Sequence, residues 1–291
     1  MQSQMTYKVE KGPCLYLVPT PIGNLEDMTL RALRILGEVD LILAEDTRQT
    51  KKLLQHYEID TNLESFHDHS SQNRVASLID QLQKGQRLAL VSDAGMPLIN
   101  DPGHPLVQAC LQADIPVTSL PGPNAALTGL VASGLTASRF TYYGFFPRNK
   151  GDQVDLLEDL GRRQETGIFY ESPYRIKHLV HQVGRVLGPD CRLVLARELT
   201  KLYEHYLRGS QVELADYLDQ HTLKGEFVVV IEGGSLGTNI LAADQTLPYK
   251  EHVELLMAQE GMTSKEAIKQ VARIQKVKKQ EVYQAYHEIE K

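Results

Sequence analysis

The chain has 291 residues, of which 42% are hydrophobic and 23% charged, a composition typical of a folded globular protein and not of a disordered one. Its net charge of −6 argues against a protein whose whole surface binds nucleic acid, so RNA binding would need a local basic patch. No apolar run approaches the roughly 20 residues that cross a bilayer, and the polar start lacks the apolar stretch of a signal peptide. We therefore expect a cytoplasmic protein with no membrane partner.

Short β-like runs alternate with helical patterns up to about residue 234. The β-like runs lie at 15–18, 39–44, 87–91, 116–120, 140–143, 167–170, 192–196 and 227–231. The helix-like stretches between them include 30–36, 75–82, 176–187 and 212–218. This alternation predicts an α/β fold with largely parallel strand pairing, and it has too few regular repeats for an eight-fold barrel.

Turn-rich segments divide this pattern into parts. PGPN at 121–124 suits a boundary between two α/β halves, and GGSLGT at 233–238 is typical of a linker. Residues 249–290 are helix-like throughout, where Thr263 and Glu266 have the spacing of a capping box and two short helices resemble a helix-turn-helix. We predict an N-terminal α/β domain, a second α/β domain and a small C-terminal helical domain at 13–121, 122–235 and 245–291.

Four loops after predicted strands are rich in Gly, Pro and polar residues, and open α/β sheets bind ligands beyond the carboxyl ends of their strands. The loop at 18–25 has prolines, which lack an N–H, so it is a poor phosphate cradle and serves either as a wall for an adenosyl group or as a structural turn. The loop at 91–103 exceeds an ordinary connection of roughly 2–6 residues, which favours a ligand loop. The loop at 121–126 opens a helix whose N–H groups could bind a carboxylate.

The remaining loop, AEDTR at 44–48, combines two carboxylates, a hydroxyl and a guanidinium. Such a cluster is costly to bury unless its members are paired. It is compatible with a helix start at which Asp46 or Thr47 is the N-cap. It is equally compatible with a substrate-facing cluster that orients a hydroxyl group, so both interpretations stay open.

Eight motifs occur in order along the chain and together resemble one known family. They are LYLVPTPIGNL (15–25), AEDTR (44–48), SDAGMP (92–97), PGPNA (121–125), GFFPR (144–148), FYESP (169–173), RELTK (197–201) and KGEFV (224–228). In this order they resemble the small-subunit ribosomal RNA ribose methyltransferases of the tetrapyrrole-methylase superfamily. Eight ordered motifs are far more specific than any one of them.

The resemblance implies 2′-O-methylation of a cytidine in the decoding region of 16S rRNA, with S-adenosylmethionine as methyl donor and the 30S ribosomal subunit as partner. It also implies two α/β domains of tetrapyrrole-methylase type, a homodimer, and a donor site between the domains. Carried over by position, the donor site would comprise Pro21, Ile22, Asp93, Ala94, Gly95, Met96, Asn124, Ala125 and Tyr170.

A ribose 2′-hydroxyl is a very weak acid, so its methylation calls for a nearby base or a cation that stabilises the alkoxide. Our catalytic candidates are Asp46 as base or hydroxyl acceptor, with Arg48 or Lys201 as electrostatic partner. The candidates for substrate contact are Glu45, Arg148, Glu171, Arg175, Arg197, Lys269, Arg273 and Lys276. An ion-pair network between the domains is the alternative for the charges of the second half, and an ordinary solvated face is the alternative for the basic run at 269–279.

Histidines and cysteines raise the question of a metal site. His67 and His69 would share one face of a strand, but no third ligand has a motif spacing and the chemistry needs no metal, so we predict none. Cys14, Cys110 and Cys191 lie far apart in apolar runs, which predicts small buried hydrophobic side chains.

Two other functions compete with the ribose methyltransferase. One is a porphyrinoid C-methyltransferase of the same fold, and the other is a noncatalytic RNA-binding or assembly protein that keeps the donor pocket. The basic C-terminal segment and the AEDTR motif favour RNA as the substrate.

Overall fold

A computed structural model describes residues 3–5, 12–67, 72–163, 165–234, 247–260 and 262–287. Within these ranges the chain forms two five-stranded sheets with flanking helices, followed by a helical region at the C-terminus. Among the helices so described, none is both long and apolar enough to cross a membrane.

The first sheet is entirely parallel, with strand order β3-β2-β4-β1-β5. Its strands are β1 (Cys14–Val18), β2 (Leu41–Ala44), β3 (Leu63–Ser65), β4 (Arg87–Val91) and β5 (Val117–Ser119). The helices that connect them are α1 (Leu30–Glu38), α2 (Thr47–His56), α3 (Gln72–Gln83) and α4 (His104–Gln112). A short 3-10 turn at Leu25–Asp27 precedes α1.

Both faces of the first sheet are covered, which explains why its strands are continuous apolar runs. On β1, Cys14 and Tyr16 face one apolar cluster together with side chains of α1. Leu15 and Leu17 face the opposite cluster together with side chains of α3 and α4. Because both faces are buried, the functional groups of this half are confined to the loops at the strand ends.

The second sheet has the order β6-β7-β10-β8-β9, and only β6 and β7 are parallel. The prediction of largely parallel pairing therefore holds for the first sheet and is wrong for the second. A buried strand such as FVVVI has the same apolar run whichever way its neighbours point, so the sequence pattern does not report direction. The strands are β6 (Phe140–Phe145), β7 (Thr166–Glu171), β8 (Arg192–Arg197), β9 (His205–Ser210) and β10 (Phe227–Ile231).

Helix α5 (Ala125–Ser133) directly follows the first sheet but packs against the second. A Cβ built on Gly129 would lie 2.9 Å from Cγ1 of Val228, so the helix and β10 approach closely because residue 129 has no side chain. The other helices of this half are α6 (Lys150–Arg162), α7 (Ile176–Leu187) and α8 (Gln211–Gln220). The two sheets fall within 13–121 and 122–235, and the division of the chain into domains at those residues stays a prediction.

The described residues of the C-terminal region form three helices: α9 (Tyr249–Glu260), α10 (Ser264–Ile274) and α11 (Lys279–Tyr286). They pack around their own apolar cluster, which includes Val253, Ile268 and Val282. The capping box is confirmed, because the side chains of Thr263 and Glu266 each accept from the backbone N–H of the other. Most of the predicted linker, residues 235–238, lies outside the described residues.

The three cysteines are buried, as predicted. Burial raises the pKa of the Cys110 and Cys191 thiols to about 12, so both are protonated at neutral pH. A thiol in that state is a poor nucleophile, which separates the cysteines from any covalent chemistry.

Candidate functional site

A cavity of about 560 Å³ is lined by loops from both sheets. Residues that follow strands of the first sheet contribute Ile22, Ala94, Gly95, Met96, Ile99, Asn100, Asp101, Asn124 and Ala125. The second half contributes Phe145, Tyr170, Glu171, Ser172, Pro173, Ala196, Glu198, Leu199, Lys201, Gly225, Glu226, Phe227 and Val228. This volume lies within the roughly 300–1,000 Å³ of small-molecule sites, so the cavity can hold a ligand the size of a nucleoside.

Three loops of the first sheet are fastened to one another at this cavity. Thr20 and Gly95 form a two-way backbone bridge, in which each N–H donates to the carbonyl oxygen of the other at 2.9 Å. The Thr20 hydroxyl also donates to the Ser92 carbonyl at 3.0 Å. A Cβ on Gly122 would lie 2.6 Å from Cβ of Pro19, so the third loop packs tightly on the first. Pro19 of the first loop is therefore packed within the protein and does not line the cavity, so a wall for an adenosyl group stays a prediction beside the structural turn.

The loop at 92–103 adopts unusual backbone conformations where it lines the cavity. Gly95 has φ +86, and a Cβ there would lie 3.3 Å from Ile22 Cγ2. Leu98 and Asn100 also have positive φ, at 70 and 67, although neither is glycine. Such conformations are retained only where the surroundings impose them, and they concentrate at ligand sites.

Helix α5 begins at the cavity and links the two sheets there. Asn124 is its N-cap, and the Asn124 side chain accepts from the Leu127 N–H at 2.9 Å. The Ala126 N–H donates to the Tyr170 hydroxyl at 3.2 Å, so a strand of the second sheet is tied to the first turn of the helix. Burial is the main cause that raises the pKa of Tyr170, which keeps the phenol protonated.

Lys201 forms the charged part of the opposite wall. Its Nζ lies 3.0 Å from Glu198 Oε1 and 2.9 Å from Glu226 Oε2. Partial burial lowers the pKa of Lys201, but the hydrogen bonds to the two carboxylates outweigh it, so the net shift is upward. Lys201 is therefore a permanent cation at neutral pH and cannot act as a base. Glu198 and Thr200 both have positive φ, at 51 and 64. The surrounding structure must therefore hold the backbone of this loop in an unfavourable conformation, as it does at 92–103.

Asp46 caps helix α2 and is paired with Arg48. The Asp46 carboxylate accepts from the Arg48 backbone N–H at 2.9 Å, from Arg48 Nε at 3.0 Å and from Arg48 Nη2 at 2.7 Å. These bonds lower the pKa of Asp46 to about 2. The backbone N–H of Asp46 donates to Asp93 Oδ1 at 3.1 Å, which ties this pair to the cavity loop beside Ala94. The capping interpretation of AEDTR is confirmed, and a role in catalysis for Asp46 or Arg48 stays a prediction.

Most of the predicted donor residues meet at the cavity. Those that line it are Ile22, Ala94, Gly95, Met96, Asn124, Ala125 and Tyr170. Pro21 and Asp93 do not line it but immediately precede residues that do. Their contact with a donor stays a prediction, as does that of the other seven.

Arg175, a predicted substrate residue, is engaged by the protein itself. Its Nη2 donates to the carbonyl oxygens of Phe146 at 2.8 Å and Pro147 at 2.7 Å, and it lies 3.5 Å from Glu171 Oε2. Glu171 is 3% exposed, so this cation balances a buried carboxylate. Arg197 likewise donates from Nε to the Lys224 carbonyl. The alternative was an ion-pair network between the domains, whereas these contacts lie within the second half. Substrate contact by Glu171, Arg175 and Arg197 stays a prediction.

The other predicted substrate residues lie on the surface. Glu45, Arg148, Lys269 and Lys276 are exposed. Arg273 is exposed as well but forms an ion pair with Asp155 of helix α6, so it fastens the C-terminal helices to the second half. RNA contact by these residues stays a prediction.

His67 lies just beyond β3 and not within a strand, while Asp68 and His69 lie outside the described residues. Within the described ranges, no group of three or more His, Cys, Asp or Glu is arranged to hold a metal ion. The strand predicted for the histidine pair is thus wrong at His67, because β3 ends at Ser65.

Several lining residues did not appear among the predicted site residues. Glu198 and Glu226 hold Lys201, and Phe145 places a large ring on the cavity. Phe145, Glu198 and Glu226 lie within the motifs at 144–148, 197–201 and 224–228, respectively. The motifs therefore carried the signal, but spacing alone does not tell which member of a motif faces the cavity.

Comparison with known proteins identifies the family. Residues 14–215 match the family model of the tetrapyrrole (corrin/porphyrin) methylases. A protein of Streptococcus pyogenes serotype M3 named "Ribosomal RNA small subunit methyltransferase I" is 47% identical over 291 residues, which cover 99% of this chain and 100% of that protein. A protein of the same name from Bacillus subtilis (strain 168) is 48% identical over 292 residues, which cover 99% of both chains.

Solved structures with the same fold are more distant in sequence. Uroporphyrin-III C-methyltransferase from Thermus thermophilus superposes with a TM-score of 0.53 at 20% identity and covers 77% of this chain and 95% of its own. Diphthine synthase superposes with a TM-score of 0.58 at 11% identity and covers 77% and 92%. At these identities the likeness concerns the fold, while the family match and the near-complete relatives concern the chain itself. The chain belongs to the tetrapyrrole (corrin/porphyrin) methylase family of methyltransferases.

Proposed function

We propose that this protein transfers a methyl group from S-adenosylmethionine to the ribose 2′-hydroxyl of a cytidine in the decoding region of 16S rRNA, with the 30S subunit as its partner. The observation that carries the proposal is the similarity, over nearly the full length of both chains, to proteins named for small-subunit rRNA methylation. We propose that the protein acts in the cytoplasm, as the composition predicts, and as a homodimer, as the family resemblance implies.

The cavity supports S-adenosylmethionine as the donor. Its volume of about 560 Å³ suits a ligand with a nucleoside and an amino-acid part. Gly95 presents only backbone atoms to the cavity, which permits close approach by a ligand. We propose that Ile22, Met96, Asn124 and Ala125 hold the donor, which when bound supplies a methyl group on a positively charged sulfur.

Lys201 supplies fixed positive charge beside the proposed reaction site. As the ribose oxygen bonds to the methyl carbon, the bond from that carbon to sulfur breaks and the hydroxyl proton passes to solvent water. Negative charge that builds on the oxygen meanwhile needs stabilising. The Lys201 ammonium is held by Glu198 and Glu226 and stays protonated at neutral pH. We propose that it stabilises this charge and does not itself remove the proton.

Asp46 is better suited to orient the hydroxyl than to deprotonate it. A carboxylate with a pKa of about 2 is a weak base but keeps its charge, and therefore its capacity to accept a hydrogen bond, at every physiological pH. Its link through Asp93 to the loop at Ala94 supports a position near the bound substrate. We propose Asp46 as hydroxyl acceptor, with Arg48 as the cation that holds it.

The proposal is tested by incubating the protein with labelled S-adenosylmethionine and 30S subunits that lack the modification, followed by mapping of the methylated nucleotide. We expect label on one ribose 2′-oxygen of 16S rRNA. Asp46→Asn should lower kcat while leaving the Kd for S-adenosylhomocysteine unchanged. Transfer to a base carbon, or to no rRNA at all, would refute the proposed reaction.

The two alternative functions predict different results in that assay. A porphyrinoid C-methyltransferase would label a uroporphyrinoid acceptor and leave 30S subunits unlabelled. A noncatalytic RNA-binding protein would bind donor and RNA without transfer. The likeness to uroporphyrin-III C-methyltransferase, at 20% identity, concerns the fold and does not favour the first alternative.

A further inference from the structure

Phe145 is an aromatic side chain that remains largely exposed instead of packing in the core. It lines the cavity, yet 58% of it is exposed. Its neighbour Phe146 is 1% exposed and packs in the core of the second half. Burial of a phenyl ring is favourable, so a ring left largely exposed beside a cavity is a candidate for contact with a ligand.

The backbone around Phe145 is shaped to place this ring. The register between β6 and β7 shifts between Tyr142 and Phe145, as in a β-bulge. Gly144 within the shift has φ +70, and a Cβ there would lie 3.0 Å from Asn100 Nδ2, so only glycine fits without strain. Bulges of this kind occur beside active sites, where they redirect a side chain.

Neighbouring side chains hold the position of the ring. The Phe145 ring contacts the Tyr170 ring at 6.1 Å between centroids with an interplanar angle of 73°. The Tyr142 hydroxyl donates to Asn100 Oδ1 at 2.6 Å, which ties β6 to the cavity loop. An edge-to-face contact together with an exposure of 58% leaves ring surface available for a planar ligand.

We infer that Phe145 stacks on a nucleobase of the RNA strand that presents the target ribose. This inference rests on the proposed function. Single-stranded RNA is recognised by stacking of unpaired bases on aromatic side chains. The adenine of the donor is the other planar candidate, but the proposed donor residues Ile22 and Ala125 are only partly exposed. Phe145 is 58% exposed, so its ring is more accessible to a large substrate.

The first test compares two phenylalanines of one strand. Phe145→Ala should raise the KM for 30S subunits about tenfold, as expected for a lost base-stacking contact, and leave the Kd for S-adenosylhomocysteine unchanged. Phe140→Ala is the matched control, because Phe140 lies at the other end of β6, is 41% exposed and does not line the cavity. An unchanged KM, or a weaker Kd for S-adenosylhomocysteine, in folded Phe145→Ala would overturn the inference.

The second test uses fluorescence, because the chain contains no tryptophan. Phe145→Trp keeps a stacking ring and should retain a KM near that of the parent protein. Its emission should be quenched by a single-stranded RNA oligonucleotide of the decoding region, while Phe140→Trp should not respond. Quenching of Phe145→Trp by S-adenosylhomocysteine alone would assign the ring to the adenine of the donor and overturn the inference.

Failure of this inference and failure of the proposed function give different results. If the parent protein methylates 30S subunits and Phe145→Ala does so with the same KM, only the stacking role is wrong. If the parent protein does not methylate rRNA, the proposed function is wrong and the stacking role falls with it.

Discussion

Gly23 and Lys201 lie in contact across the two halves of the molecule. A Cβ built on Gly23 would overlap Cγ of Lys201 and would lie 3.0 Å from both the Leu199 carbonyl oxygen and Thr200 Oγ1. Gly23 follows the first strand of the first sheet, and Lys201 follows β8 of the second sheet. The absence of a side chain at residue 23 is therefore a condition for the position of the Lys201 ammonium.

Gly23→Ala should displace Lys201 from its two carboxylates. We expect kcat/KM for methyl transfer to fall roughly 100-fold, because a displacement of about 1 Å at a reaction site has effects of that size. The matched control is Gly37→Ala in helix α1, where a Cβ would meet nothing within 4 Å. Steady-state kinetics of both variants, with thermal unfolding to verify folding, check this prediction. Parent-like kinetics for Gly23→Ala would contradict it.

Lys201→Met should lower kcat by about 100-fold or more, as expected when a group that stabilises developing negative charge is removed. Because the pKa of Lys201 is raised in the folded protein, its charge and its contribution to stability are complete below the ordinary lysine pKa and are lost only as pH rises through the raised value. We therefore expect no fall in the kcat of the parent protein from deprotonation of Lys201 between about pH 7 and 9. A fall in kcat in that range that Lys201→Arg abolishes would contradict this account.

Arg175→Met should lower the free energy of unfolding by about 3 kcal/mol, because it leaves the buried Glu171 carboxylate without its cation and frees two carbonyl oxygens. Glu171→Gln in the same background should recover part of the loss, since the uncompensated charge is then removed. Urea unfolding of the single and double variants measures both effects. If Arg175→Met keeps parent stability but loses RNA affinity, Arg175 serves the substrate and not the fold.

The exposed lysines of helix α10 and its C-terminal end provide a test of RNA contact. Replacing Lys269 and Lys276 with Ala should weaken RNA binding and reduce the slope of log K against log salt by about 1.4, for two phosphate contacts with a single strand. Lys84→Ala is the control, because Lys84 is exposed and paired with Asp80 on α3 at 2.6 Å. An unchanged slope would assign these lysines to an ordinary solvated surface.

Local sequence predicted a ligand site at loops that follow strands, because the carboxyl ends of parallel strands meet at one edge of a sheet. The nine donor residues were implied by the family resemblance, and seven of them line the cavity. Asp46 illustrates the limit of this reasoning. Its capacity to cap a helix follows from its type and position, but its bidentate pairing with Arg48 depends on side-chain conformation.

The sequence by itself determined the α/β class, the capping box at Thr263 and the loops that carry the site, because these depend on residue type, local spacing and the order of motifs. Tertiary structure alone decided the antiparallel arrangement of the second sheet, the use of Arg175 within the protein and the contact of Gly23 with Lys201. These features join residues that are distant along the chain, and no local pattern reports which distant groups will share a surface. The physical reason is that apolar periodicity records which face of an element is buried, while packing selects the partner that buries it.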